Sequence, residues 1–588
     1  MKNTLFLIIM VLISINMSCT SQKKSSGNNI SSDYQIKSSY LLIPVEEKAP
    51  EVKIIAAASD TTHQTAFDVH LAVDQIDYWV PVDVKKWKTQ LLTLTFQGLT
   101  KPVLGSKEIK QSDKFEFEYN ETYRPQFHFS PEYGWMNDPN GMVYLDGEYH
   151  LFYQYNPYGS MWGNMSWGHA VSTDLTSWTY LPVALRPDSL GEIFSGSAVI
   201  DKDNTAGFGK DAMIAIFTSA GKVQAQSIAY STDKGRTFSK YAQNPVLPNP
   251  GITDFRDPKV SWNEQSGQWV MALATKQTVT FFGSHNLKNW TKLSEFGEGI
   301  GSHAAVWECP DLFPMTYQGK TKWVLLVSLN PGGPNGGSAT QYFIGDFDGK
   351  TFTPDALPYP LWLDYGRDNY AGVTFNNIPQ SDGRRIFMGW MSNWDYANQI
   401  PSKHFRSANT TARELTIVNN GKHLILSSYP VKEINKLKRE ISEMPGLHVN
   451  KEYVITELLK KNEGCFEIEM TIRPENARIF GFSLNNAKNE TLKFNFDNTT
   501  GFFSIDRKQS GLTDFNDRFA MGMNAPLIKR DSYKVRLLVD KASAEIFIND
   551  GEITSTTLFF PSEWMNQLRF FSQTGTFSVE NIKINNLK

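Results

Sequence analysis

Three acidic side chains stand in short motifs that could carry chemistry. Asp138 lies inside Trp135-Met136-Asn137-Asp138-Pro139-Asn140-Gly141, Asp257 inside Arg256-Asp257-Pro258, and Glu308 inside Glu308-Cys309-Pro310. Each acid is next to a proline or one residue from it, as expected of side chains held on rigid strand ends. Taken alone, Asn-Asp-Pro-Asn-Gly reads as an ordinary turn: proline fixes φ, asparagine and glycine tolerate left-handed geometry, and aspartate hydrogen-bonds its own backbone. Arg256-Asp257 alone reads as a surface pair, and Glu308-Cys309 alone carries even less. Together they suggest cleavage of a glycosidic bond, where two carboxyl groups must flank the bond that breaks.

Composition narrows the partners. At 588 residues the chain exceeds what one hydrophobic core organises, and roughly two to four domains are expected. A formal charge of −3 with no Lys/Arg run argues against nucleic acid. The 13% aromatic content is rich, and twelve of the fifteen tryptophans fall between Trp135 and Trp394, so the excess belongs to one region. Such a surface suits a neutral sugar. His169 and Cys309 lack companions at metal-ligand spacing, so neither a metal nor another cofactor is expected.

The elements that must position the acids show as a repeat. Five short apolar runs recur: Tyr149-His150-Leu151-Phe152-Tyr153, Met213-Ile214-Ala215-Ile216-Phe217, Trp269-Val270-Met271-Ala272-Leu273, Trp323-Val324-Leu325-Leu326-Val327 and Arg385-Ile386-Phe387-Met388-Gly389. Each is short, bounded by turn residues and nearly continuous in hydrophobicity, as expected of a strand buried on both faces. Three intervals carry a second echo: Ser172-Thr173-Asp174 with Trp178, Ser231-Thr232-Asp233 with Phe238, and Ser284-His285-Asn286 with Trp290. These predict a tight Asx-type turn leading to an outer strand with an aromatic plug. No window here keeps i, i+3, i+4 apolar spacing, which excludes a helical solenoid and leaves a five-bladed β-propeller.

The fold class expected is therefore all-β. A propeller over residues 123–436 is flanked by a small β-sandwich over 34–122 and a second, C-terminal β-sandwich over 437–588. The last alternates clearly, as in Cys465-Phe466-Glu467-Ile468-Glu469-Met470, and Asn549-Asp550-Gly551 is a hairpin signal. Before these, residues 1–18 read as a signal peptide, with Lys2 ahead of an apolar stretch from Leu5 to Ile15 that is too short to span a bilayer. Cys19 after Ser18 resembles a bacterial lipoprotein cleavage site, followed by a flexible tether over 19–33. Asn16 and Met17 match that site poorly, so plain secretion with cleavage nearby stays open. Either way the protein is expected to be exported, and the lipoprotein reading places it at the cell envelope with a lipid on Cys19 as its one membrane contact. Only Cys309 and Cys465 remain, which argues against disulfides.

Trp-Met-Asn-Asp-Pro-Asn-Gly, Arg-Asp-Pro and Glu-Cys, in that order on a five-fold repeat, resemble glycoside hydrolase family 32, whose members include invertases, inulinases and levanases. Gln154-Tyr155-Asn156-Pro157, Trp167-Gly168-His169-Ala170 and Phe194-Ser195-Gly196-Ser197 extend the resemblance, which covers residues 123–588. It implies a retaining hydrolase acting on β-fructan or sucrose, with Asp138 as nucleophile, Glu308 as acid and then base, and Asp257 holding sugar hydroxyls. It also implies substrate contacts from Asn137, Gln154, Trp162, Phe194, Ser195 and Arg256. A retaining pair sits about 5 to 5.5 Å apart, against about 6.5 to 9.5 Å for inversion. Glu308 must then hold a proton while Asp138 is ionised; apolar Trp307 and Cys309 beside Glu308 are consistent with that, and core packing is the other reading of both. Exo attack is expected, because a five-bladed propeller closes into a funnel that suits a chain end.

Three other readings compete. Ser231-Thr232-Asp233-Lys234-Gly235 with Phe238 resembles the Asp-box of sialidases, but nothing picks out the arginine cluster and tyrosine nucleophile a sialidase needs. A glycan-binding lipoprotein without catalysis would require a defect that the intact acids do not show. Fructosyl transfer shares the covalent intermediate and differs in the acceptor.

Overall fold

The computed structural model describes residues 29–58, 64–117, 119–456 and 462–588. The expected signal peptide over 1–18, the expected lipidation site Cys19 and the expected tether up to residue 28 lie outside the described residues. The all-β expectation holds: among the described residues the helical segments are Leu104–Lys107 and three short 3-10 turns.

The chain enters on a strand, Ile30–Gln35, which falls across the expected end of the tether at 33. It pairs with Leu91–Gln97, then Glu51–Ala58 and Gln64–His70, in a four-stranded sheet. Tyr40–Val45, Tyr78–Asp83 and Lys110–Ser112 make a three-stranded one. The two sheets share a core that includes Ile43, Ile54, Phe67, Val80 and Phe96. Alternation makes this possible, since every second residue of Glu51–Ala58 is buried.

Five mainly antiparallel sheets follow. Their first strands are β1 (Gly134–Leu145), β2 (Glu192–Asp201), β3 (Phe255–Asn263), β4 (Trp307–Tyr317) and β5 (Tyr370–Thr374). In each sheet the next strands add outward in chain order; in addition Phe405–Arg406 pairs in parallel with the free edge of β1, and Leu361–Trp362 pairs with the third strand of the fourth sheet. The first strands touch in sequence, β1 to β2 and on to β5, and β5 returns to β1. Asn376 N donates to Met142 O at 2.9 Å and Tyr144 N to Asn376 O at 3.0 Å across that closure. Each of the five apolar runs lies in the second strand of a sheet, where almost every residue is buried. A strand with neighbours on both edges and layers on both faces has no polar side to show, which explains the missing alternation.

The three echoes form the predicted turns between third and fourth strands. Ser172 Oγ accepts from the amides of Asp174 and Leu175, and Asp174 Oδ1 from those of Thr176 and Ser177. Ser231 with Asp233, and Ser284 with Asn286, repeat the pattern.

The C-terminal β-sandwich is one continuous sheet, folded about the long strand Gln567–Leu587, which pairs with four others. Its interior is phenylalanine-rich, with Phe466, Phe480, Phe494, Phe496, Phe503 and Phe570 among the buried residues.

Candidate active site

All five first strands lose register close to where they begin. The shifts fall between Met136 and Pro139 in β1, Phe194 and Gly196 in β2, Arg256 and Lys259 in β3, Glu308 and Asp311 in β4, and Tyr370 and Val373 in β5. The sequence forces most of these. Pro139, Pro258 and Pro310 have no N–H to give the ladder. Gly196 is required at its position, since a Cβ there would lie 2.0 Å from Ile216 O. Asp257 (φ +64°), Cys309 (+46°) and Ala371 (+52°) adopt left-handed backbone. A bulge re-aims side chains that regular pleating would send to opposite faces. Thus Asn-Asp-Pro-Asn-Gly is not a turn: it lies within the twelve-residue strand β1.

The re-aimed side chains line one cavity of about 410 Å³. Asn137 and Asp138 come from β1, Phe194 and Ser195 from β2, Arg256 and Asp257 from β3, Glu308 from β4 and Tyr370 from β5. Gln154 and Trp162 line it too, so the three acids and all six expected contact residues are brought together. Five further lining residues, Met165, Val306, Asn330, Tyr370 and Trp394, were not picked out by their sequence context. For Tyr370 a signal did exist. It stands one strand upstream of the fifth apolar run, as Glu308 stands one strand upstream of the fourth.

The hydrogen bonds differ from acid to acid. Asp138 Oδ2 accepts from Ser195 Oγ at 2.7 Å, and Oδ1 from Asn137 Nδ2 at 3.0 Å. Asn137 is itself fixed by Trp135 Nε1, 2.8 Å away. Asp257 Oδ2 accepts from the Cys309 amide at 3.1 Å. The Cys309 thiol lies between these two acids, 3.5 Å from Asp138 Oδ2 and 3.7 Å from Asp257 Oδ2. Glu308 Oε1 accepts from Arg256 Nη2 at 3.0 Å and Nε at 3.1 Å, and Oε2 accepts the Tyr370 hydroxyl. Arg256 is held from behind by Asp254 at 2.6 Å.

Burial pushes the Asp138 carboxyl above its usual range, and Glu308 adds to this, while the bonds from Ser195 and Asn137 pull the other way. Burial also raises Asp257, to about 7; Arg256 opposes this and the charges of Glu308 and Asp138 reinforce it. The Tyr370 hydroxyl and the Cys309 thiol are pushed well up, chiefly by burial, so both keep their protons and serve as hydrogen-bond donors in the site.

Of the two readings of Trp307, core packing holds: it is not an apolar wall beside Glu308. It is fully buried against Phe296 and Phe343, with Nε1 on Ser302 O, because the bulge turns Glu308 to the cavity and leaves Trp307 in the core. The surroundings of Glu308 are instead Arg256 and Tyr370. Cys309 and Cys465 are both buried and free.

Comparison with known proteins agrees with this geometry. The family model for the glycosyl hydrolases family 32 N-terminal domain matches residues 128–428, and that for the family 32 C-terminal region matches 433–586. Residues 28–127 match a domain of unknown function (DUF4980). A levanase of Bacillus subtilis is 46% identical over 80% of this chain and 71% of its own length. The crystal structure of exo-inulinase from Aspergillus awamori superposes with a TM-score of 0.74 at 36% identity, covering 80% of this chain and 99% of that one. A fructofuranosidase from Schwanniomyces occidentalis, solved with fructose, gives 0.71 at 33% identity over 80% of this chain and all of that one. The chain is a glycosidase and belongs to glycosyl hydrolase family 32.

Proposed function

We propose that this glycosidase releases fructose from the ends of β-fructan chains and from sucrose, with retention, through a covalent fructosyl-enzyme. The five sheets are read as propeller blades around the cavity. The Asp138 carboxylate attacks the anomeric carbon. The bond to the leaving oxygen breaks as that oxygen takes a proton from Glu308. Glu308, now a carboxylate, removes a proton from water, which attacks the same carbon and frees Asp138. Asp257 accepts hydrogen bonds from ring hydroxyls. Arg256 and Tyr370 hold the Glu308 carboxyl, and Ser195 and Asn137 orient Asp138.

The observation that carries the reading is the meeting of Asp138 and Glu308, from two different sheets, in one cavity with separate sets of donors. The levanase, exo-inulinase and fructofuranosidase relatives support the choice of fructosyl substrates. One exo-inulinase relative is described as extracellular. This supports export, for which a lipid on Cys19 is the proposed anchor.

Incubation with levan, inulin and sucrose, followed by product separation, tests the assignment. Fructose is expected as the sole early product. A ladder of oligomers would instead indicate internal cleavage, and chain growth at high sucrose would indicate transfer. Asp138→Asn and Glu308→Gln should each lower turnover by more than about a thousandfold while the circular dichroism spectrum is kept. Near-parental rates in either variant overturn the assigned roles.

A further inference from the structure

The Trp162 loop is held from outside the catalytic sheets. It spans residues 157–165, between the strands Glu148–Asn156 and Ser166–Ser172. At its tip Trp162 lines the cavity, is 42% exposed, and meets Phe194 edge-on with ring centroids 6.3 Å apart. An exposed indole beside the acids is a ready platform for a sugar ring next to the one being cleaved.

Three attachments tie this loop to the N-terminal sheets. The Ser160 amide donates to the Tyr78 hydroxyl at 3.0 Å, that hydroxyl donates to Ser160 Oγ at 3.3 Å, and Ser160 Oγ donates to Glu47. Asn164, in left-handed backbone, clamps the main chain of Asp68. Its Nδ2 donates to Asp68 O and its Oδ1 accepts from Asp68 N, both at 2.8 Å. The Tyr158 ring stacks on Phe67 at 4.3 Å. A fourth path closes the circuit. Glu47 faces Arg406 at 3.4 Å, Arg406 donates to Asn398 O, and Asn398 Oδ1 accepts the Trp162 amide at 3.2 Å. Tyr78 is buried, and its ionisation is pushed up to about 12, chiefly by burial, so it remains a hydroxyl able to give and accept at once.

We propose that the N-terminal two-sheet unit is a positioning element for the active site: it fixes the Trp162 loop and thereby sets how tightly the fructan chain beyond the reacting ring is held. This rests on the fructan-hydrolase reading above and gives the region matched to a domain of unknown function a task in specificity. The chemistry at Asp138 and Glu308 is left to the five sheets. A small substrate such as sucrose, which reaches little beyond the reacting ring, depends on the loop less than an oligosaccharide does.

The test uses the full chain with Tyr78→Phe and, separately, Glu47→Gln, assayed on sucrose and on a levan- or inulin-type oligosaccharide. Losing one or two of these hydrogen bonds is expected to raise KM for the oligosaccharide by about three- to tenfold, with kcat on either substrate within about twofold of the parent. In a Trp162→Ala background Tyr78→Phe should add little further, because both changes act on one platform. An unchanged oligosaccharide KM, a parallel loss of kcat on both substrates, or effects of Tyr78→Phe and Trp162→Ala that multiply independently would each overturn the proposal. Should Tyr78→Phe not fold, Glu47→Gln decides by the same criteria. A parent enzyme inactive on every fructosyl substrate would instead sink the fructan reading, which is a separate result.

Discussion

At the scale of single residues, the donors around Glu308 say most about how the site works. In the acid-then-base role proposed for it, Glu308 gives up a proton and then takes one back, and so needs partners that stay fixed through both states. Arg256 supplies two N–H groups to one oxygen and Tyr370 a hydroxyl to the other. Because Tyr370 is pushed well above its ordinary range, it never competes as an acid itself. A hydrogen bond to a charged group contributes about 1.5–3 kcal/mol, so Tyr370→Phe should lower kcat about ten- to a hundredfold. KM should move little, since the hydroxyl faces Glu308. Steady-state kinetics on sucrose checks this, and an unchanged kcat would reduce Tyr370 to a wall of the cavity. The acids were legible because proline, arginine and asparagine neighbours made their surroundings unusual. Tyr370 follows Arg367-Asp368-Asn369 but has no proline beside it, and its bulge comes from φ at Ala371, which a residue name does not reveal.

At the scale of elements, the second strands were readable and the first strands were not, for one physical reason. The second strands are continuous apolar runs because both of their faces are buried against apolar layers. Each first strand carries a buried polar residue below its bulge: Asn140, Ser197, Lys259, Asp311 and Thr374. These break the apolar pattern without giving the alternation of a half-exposed strand. They also join the strands. Ser197 Oγ bridges Pro258 O and Val260 N between β2 and β3, and Lys259 Nζ reaches Asp311 at 3.3 Å and Thr374 O, linking β3, β4 and β5. Asp311 also accepts from the Thr374 amide at 2.6 Å. The pair lies a short step along the same strands from Asp257 and Glu308, so it ties together the bulges that aim them. Removing one partner of a buried ion pair typically costs about 3–5 kcal/mol, whereas replacing both with apolar residues is often tolerated. Lys259→Met is therefore expected to lower the unfolding midpoint markedly, and Lys259→Met with Asp311→Leu to recover much of it. Calorimetry of the two variants distinguishes this from simple loss of packing, in which case the double variant would be the worse one.

At the scale of the whole molecule, the seam between the five sheets and the C-terminal sandwich is closed by charge, which alternation in the sequence could not announce. His128 Nδ1 faces Asp540 at 2.9 Å and Nε2 faces Glu545 at 2.8 Å, all three side chains being fully buried. Glu545 also accepts from Arg413 at 2.7 Å, and Asp540 from the amides of Gln126, Phe127 and His128. Burial alone would lower His128, but the two carboxylates reverse this and hold it at about 9. Burial alone would raise Glu545, but Arg413 and His128 hold it at about 2. The signs set a window. A histidine raised above its ordinary 6.5 contributes stability that is complete below 6.5 and lost as pH rises through about 9. A glutamate depressed below its ordinary 4.5 contributes stability present above 4.5 and lost as pH falls toward about 2. The unfolding midpoint should thus be highest between about 4.5 and 6.5 and decline on the alkaline side. His128→Gln keeps an amide donor but removes the charge, leaving two buried carboxylates with less compensation, and should cost about 3–5 kcal/mol at pH 5. Since the parent has itself lost the imidazolium above pH 9, the gap between parent and variant should narrow there. Calorimetry of both proteins at the two pH values measures that gap, and a gap of equal size at both would mean that His128 carries no charge in the folded protein.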